Sequence, residues 1–239
     1  MAADFSQPHH LPKVRRDEGA DPGGLPRQRR GVTPQMYGRY PDYDCLEQLE
    51  HWDELTRRVI VDRVEGVPEL RFFSDAEAAA LVAFCDVVLA QNAEPRIPVL
   101  AFVDRKLFEG RLDGYQYAGM PDDRETWRLV ARGLDEAARA RGADSYAEAP
   151  GLLRLAISDA FAERTLVGGV WDGLDLKRAW AVVMRSVLAA FYSHPWAWNE
   201  IGFGGPAYPR GYARMGIGLS EAWEGPEALN IDPGAGAKG

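Results

Sequence analysis

The sequence predicts an all-α protein: a compact bundle of about six helices with an extended N-terminal arm and an irregular, aromatic-, glycine- and proline-rich C-terminal segment. Three observations lead there. Apolar residues recur at helical spacing in segment after segment, no segment alternates as a strand would, and Gly or Pro closes nearly every periodic run. The 239 residues are 46% hydrophobic, enough for a substantial core in one helical domain over 44–215, with a tail over 216–239.

Residues 1 to about 43 form the arm, because Pro, Gly, Arg and Asp dominate and the apolar residues are too scattered to make a face. Tyr37, Tyr40 and Tyr43 in "TPQMYGRYPDYD" can anchor its second part to a surface, its own or a partner's. Arg15 and Arg16 are followed by acidic and glycine residues where a twin-arginine signal needs an apolar stretch, so a cytoplasmic location is expected.

Asp44 can cap a first helix through "CLEQLEHWDELTRRVIVDRVEG", with Leu46, Leu49, Trp52, Leu55, Val59 and Val64 near helical spacing and Gly66 and Pro68 as stops. "FFSDAEAAALVAFCDVVLA" opens on a capping box, Ser74 with Glu77, and is apolar enough to be central. "VLAFVDRKLFEG" reads as a short amphipathic helix on Leu100, Val103 and Leu107. "MPDDRETWRLVARGLDEAARARG" is a longer one, with Pro121, Asp122 and Asp123 in its first turn and Arg139 and Arg141 near its end. "SYAEAPGLLRLAISDAFAERTLVGGVWDGL" is helical in its middle and breaks at Gly168–Gly169. "DLKRAWAVVMRSVLAAFYSHP" is the last clear helix, capped by Asp175 and ended before Pro195.

A net charge of −8 argues against a general attraction to nucleic acid or anionic lipid, and no apolar run is long enough to span a membrane. Cys45 and Cys85 lack metal or redox spacing, and Cys85 sits in an apolar run as a core thiol would. The four histidines stand apart from any nucleophile or ligand set: His9 and His10 in the arm, His51 without an E-x-x-H partner, and His194 as a helix C-terminal residue bonding free carbonyls. Asp122 and Asp123 fit a helix first turn better than an acid–base pair. Neither "GFGGPAYPRG" nor "LVGGVWDG" is a phosphate-binding loop. No catalytic residue, bound cofactor or metal is therefore expected on this chain.

That leaves "FYSHPWAWNEIGFGGPAYPRGY", Phe191 to Tyr212, whose prolines and glycines dictate turns and extended backbone. Such a path takes its order from side-chain packing. Trp196, Trp198, Phe203, Tyr208 and Tyr212 supply contact area, and Asn199, Glu200 and Arg210 can bond backbone groups of this chain or of a partner. On the residues alone, a wrap over the chain's own helices and a partner interface stand equal.

This stretch, with "RFFSDAEAAALVAFCDVVLA", "IPVLAFVDRKL" and "TWRLVARGLDEAARARG", resembles the gluconate 2-dehydrogenase subunit 3 family over roughly residues 70–215. Its most specific part is I-G-x-x-G-P-x-Y-P-x-G-Y, Ile201 to Tyr212. The resemblance implies a non-catalytic small subunit needed for assembly, stability or maturation of a large flavoprotein of the glucose-methanol-choline type. That partner would hold FAD and oxidise a sugar, polyol or sugar acid, with a cytochrome subunit as a further candidate partner. It also tips the C-terminal stretch toward a partner interface made of His194, Trp196, Trp198, Asn199, Glu200, Phe203, Tyr208, Arg210 and Tyr212, joined by Tyr37 and Tyr40 of the arm. Many relatives carry a twin-arginine signal, which this sequence lacks. Two competing readings remain: an adaptor or chaperone with an aromatic groove, and a sugar-binding enzyme using His194, Glu200 and Arg210.

Overall fold

The computed structural model describes residues 43–91, 96–112, 114, 116–214 and 221–225. The expected arm, including Tyr37 and Tyr40, and most of the expected tail lie outside the described residues. Those described form seven α-helices and two 3-10 segments, with no strand among them. The helices are α1 (Glu54–Glu65), α2 (Asp75–Val88), α3 (Val99–Phe108), α4 (Asp123–Arg139), α5 (Gly151–Ala162), α6 (Leu176–Phe191) and α7 (Pro195–Ile201).

Local chemistry starts most of them. Ser74 accepts from the Glu77 N–H while the Glu77 carboxylate accepts from the Ser74 N–H, completing the expected capping box of α2. Asp122 accepts from Glu125 N at 2.8 Å to start α4, and Asp175 from Arg178 N at 3.1 Å to start α6. Helices α2 to α6 pack on one another around Trp127, Phe84, Leu134, Ile157 and Phe161, all fully buried. Phe161 meets Trp171 and Trp180, each at 5.1 Å between ring centroids, in the edge and tilted geometries that aromatic quadrupoles favour. Cys85 is buried in this core as a free thiol, and burial pushes its pKa up.

Three elements differ from expectation. The single helix expected from Asp44 to Gly66 is broken at Trp52: Cys45–His51 is a 3-10 segment capped by Asp44, and Asp53 starts α1 afresh by accepting from Thr56 N. The break turns the Trp52 ring inward, where it is buried, and the Arg57 guanidinium covers two of the freed carbonyls, Leu49 O and Trp52 O. Helix α5 ends at Ala162, ahead of Gly168–Gly169, because Arg164 turns left-handed at φ 65° and brings Leu166 and Trp171 into the core. Trp171, on the 3-10 segment Gly169–Gly173, then donates its indole N–H to Gly133 O of α4.

The third difference is α7, seven helical residues or about two turns, inside the stretch expected to be wholly irregular. His194 is its N-cap and not a C-terminal cap of α6: the Nδ1 atom accepts from Trp196 N at 3.2 Å. Pro195 occupies the first helical position, where its missing N–H costs nothing, and Gly202 ends the helix in the left-handed region at φ 68°.

Candidate docking surface

Helices α1 and α7, the first 3-10 segment and the chain after α7 make a second, smaller core of Cys45, Trp52, Ile60 and Trp198, flanked by Tyr43, Leu46, Leu49 and Phe203. It is held by polar bonds between residues far apart in sequence. Asn199 is buried; its Oδ1 accepts from Cys45 N at 2.7 Å and its Nδ2 donates to Asp44 Oδ1 at 3.1 Å. The Trp52 indole N–H donates to Pro206 O at 3.0 Å, and the Tyr43 hydroxyl to Trp223 O at 2.9 Å. The last two bonds satisfy carbonyls of the irregular strap that follows α7, residues 202–214 and 221–225, and the first satisfies the N–H that opens the 3-10 segment.

Arg210 closes the strap on itself. Its guanidinium donates to Gly204 O, Pro206 O and the Gln48 side chain, and lies 4.1 Å from the Trp223 ring centroid. The two adjacent glycines of the motif now have a reason. A Cβ on Gly204 would strike Trp223, and one on Gly205 would strike the Trp52 ring; Gly205 also needs φ 80°. Trp52, Gln48, Asp44 and Trp223 are thus structural partners of the strap that motif reading passed over. The only signal for them was the isolated tryptophans in "EHWDE" and "EAWEG", since the contacts of Asp44, Gln48 and Trp52 span more than 150 residues.

His194 sits where the two cores join. It is 1% exposed, with Phe102 of α3 at 6.3 Å and Trp196 at 4.8 Å between centroids, while Arg63 of α1 donates to the neighbouring Ser193 O. Burial, with the Arg63 charge adding to it against a bond to the Arg63 backbone, lowers its pKa to about 4, so the ring is neutral near pH 7. A neutral imidazole accepting a backbone N–H is committed to holding the α6–α7 corner.

The residues expected at a partner interface therefore divide. His194, Trp198 and Asn199 are buried in this chain, and Trp196, Glu200, Phe203 and Arg210 are half-buried. Tyr208 is 68% and Tyr212 48% exposed, and Tyr192, Leu188 and Ile201 on the neighbouring helices are also exposed. Burial, and then the charge of Glu200, raises the Tyr192 phenol pKa, and the Trp198 indole N–H joins α7 to the end of α6 by donating to Tyr192 O at 2.6 Å. Among the described residues, no group of three or more His, Cys, Asp or Glu side chains could hold a metal ion, and no helix is long and apolar enough to cross a membrane.

Residues 75–205, from the first residue of α2 to the glycine that packs on Trp52, match the model of the family described as gluconate 2-dehydrogenase subunit 3. The chain belongs to that family. The match spans the main bundle and α7, and stops inside the strap. The family's description makes the chain a subunit, so a dehydrogenase complex is its setting. No curated protein and no solved structure matches the chain.

Proposed function

We propose that the chain is the non-catalytic accessory subunit of an FAD-dependent dehydrogenase that acts on a sugar, polyol or sugar acid, and that it supports assembly, stability or maturation of the large flavoprotein. Family membership is the observation that carries this reading. The site supports it in a specific way: the groups that could have served chemistry in the C-terminal stretch are spent on architecture. His194 caps α7, Asn199 ties the strap to Cys45 and Asp44, and Arg210 holds three acceptors of this chain. What is exposed is contact area, Tyr208 and Tyr212 after α7 and Tyr192 and Ile201 at the ends of α6 and α7, and large aromatics of this kind anchor protein interfaces.

The docking face in this reading is the outer side of the strap, and its inner side is the clamp that keeps the face in shape. Work in the cytoplasm, or in the periplasm when escorted by the partner, belongs to the same proposal. Co-expression with a candidate large flavoprotein of the glucose-methanol-choline type tests it. A stable one-to-one complex with bound flavin is expected, together with a flavoprotein that is insoluble or flavin-poor when made alone. A flavoprotein that folds, loads flavin and turns over equally well without this chain removes the proposal.

A further inference from the structure

The chain carries a net charge of −8, yet one corner of it is built from arginines. Where the α1–α2 connection meets α3 and α4, the guanidinium carbons of Arg124 and Arg128 lie 5.0 and 4.3 Å from the ring centroid of Phe72. Arg71 stands 4.4 Å over Phe108, and Arg105, one helical turn before Phe108, is 5.7 Å over Phe102. None of these four arginines has an ion-pair partner among the described residues.

Four carboxylates of these elements are already engaged. Asp104 is fully buried and accepts from the backbone N–H groups of Arg71, Phe72 and Phe73 at 2.7, 3.0 and 3.1 Å. Glu109 pairs with Arg111, Glu125 with Arg132, and Asp122 caps α4. The crowding of positive charge is felt next door, where burial and then the charge of Arg105 hold the Arg63 guanidinium below its usual pKa.

A guanidinium stacked on an aromatic face has its N–H edge fixed in direction, which suits bonding to a carboxylate; Arg128 donates one N–H to Phe72 O at 3.2 Å, which fixes its orientation over the ring. Gathering such groups without counter-ions opposes folding slightly and is repaid when an anion arrives. We propose that this corner, Arg71, Arg124 and Arg128 around Phe72 and the exposed Phe108 with Arg105 over Phe102, docks an acidic segment of a partner protein.

A short run of Asp and Glu side chains fits better than a long polyanion. The remainder of the chain is more acidic than its net charge once these four cations are set aside, and it repels phosphates running past the corner, whereas a peptide needs only the corner itself. The apolar face of Phe108, 43% exposed, gives such a segment a surface to lie on. That the segment belongs to the large flavoprotein rests on the accessory-subunit reading; the acidic character of the ligand does not.

The test uses the full chain and a fluorescein-labelled oligoglutamate peptide, followed by anisotropy at low salt. The triple variant Arg71→Gln, Arg124→Gln, Arg128→Gln is expected to weaken binding at least about tenfold. A control triple, Arg96→Gln, Arg139→Gln, Arg178→Gln, removes the same charge from guanidiniums that are already paired and is expected to change it less than about twofold. Because Arg124 and Arg128 cover Phe72, the exposed Arg71→Gln alone is the variant that keeps the fold, with a loss of about threefold expected. Equal weakening by both triples, an Arg71→Gln protein that binds like the wild type, no binding of the peptide, or tighter binding of single-stranded DNA of matched charge each overturns the proposal.

Capture of the flavoprotein separates this inference from the reading it touches. A flavoprotein that binds the triple variant as well as the wild type shows that the corner is not its docking site, while the accessory-subunit reading stands. Peptide binding lost in the triple variant, with no flavoprotein bound by either protein, keeps the corner and removes the other.

Discussion

The main bundle and the strap region solve the same problem, hiding apolar surface, by different means. The bundle hides it with helices whose backbone groups are satisfied within each helix, so apolar side chains do the remaining work: Trp127, Val130, Leu134, Phe84 and Phe161 fill it. The strap has little regular structure and only four buried residues in its core, and its backbone is satisfied by side chains reaching from the other end of the chain. The difference teaches that the bundle is stabilised by area spread over many residues, and the strap by a few bonds that each matter.

Replacing Trp127 by Ala is expected to have the largest effect, a loss of about 4 kcal/mol of global stability from a fully buried ring, read as a lower urea midpoint with all probes moving together. Trp52→Ala is expected to cost about 3 kcal/mol locally, since it removes both the ring against Gly205 and the bond to Pro206. Hydrogen exchange should then accelerate in 43–60 and 198–214 and leave α2 protected. If the amides of α2 lose protection equally, the two regions form one cooperative unit and the contrast drawn here fails.

His194 sharpens the comparison because it belongs to both cores. Its folded pKa is depressed from 6.5 to about 4, so the unfolded chain binds the proton more readily. The stability it contributes is complete above about pH 6.5 and is lost as pH falls toward 4, amounting to about 2 kcal/mol at pH 5. His194→Asn keeps an N-cap acceptor and removes the titration. The urea midpoint of the wild type should fall more between pH 7.5 and 5 than that of the variant; parallel falls would place the histidine in contact with water.

The smallest effect concerns the outer face. Tyr208→Ala with Tyr212→Ala is expected to weaken capture of the large subunit by about 1–2 kcal/mol and leave the melting temperature within a degree or so, because both side chains are exposed. A drop in melting temperature with unchanged capture would move these tyrosines from the docking face to the clamp.

Much of the bundle could be read from the residues in order. The Ser74–Glu77 box, the Asp122 and Asp175 caps and the apolar spacing of α2, α3, α4 and α6 are local signals, and local hydrogen bonds honour them. Where reading failed, a distant contact had overridden a local pattern. Leu46, Leu49, Trp52 and Leu55 keep helical spacing, yet Trp52 is drawn off the helix axis to meet a strap more than 150 residues away. His194 looked like the end of one helix because nothing before it in sequence shows that Pro195 begins another. The motif from Ile201 to Tyr212 was legible as a family mark, but not why its glycines stand side by side, since the reason is two tryptophans outside it.

By itself, then, the sequence determined the helical class, the boundaries of the central helices and the family, because each is written in residues close together along the chain. Only the tertiary structure decided which aromatics of the C-terminal stretch turn inward and which remain outside. That division depends on where Trp52, Cys45 and Trp223 sit in space: a buried indole or amide goes where its bond can be satisfied, while Tyr208 faces solvent and Tyr212 leans one side on Trp223 and leaves the other exposed.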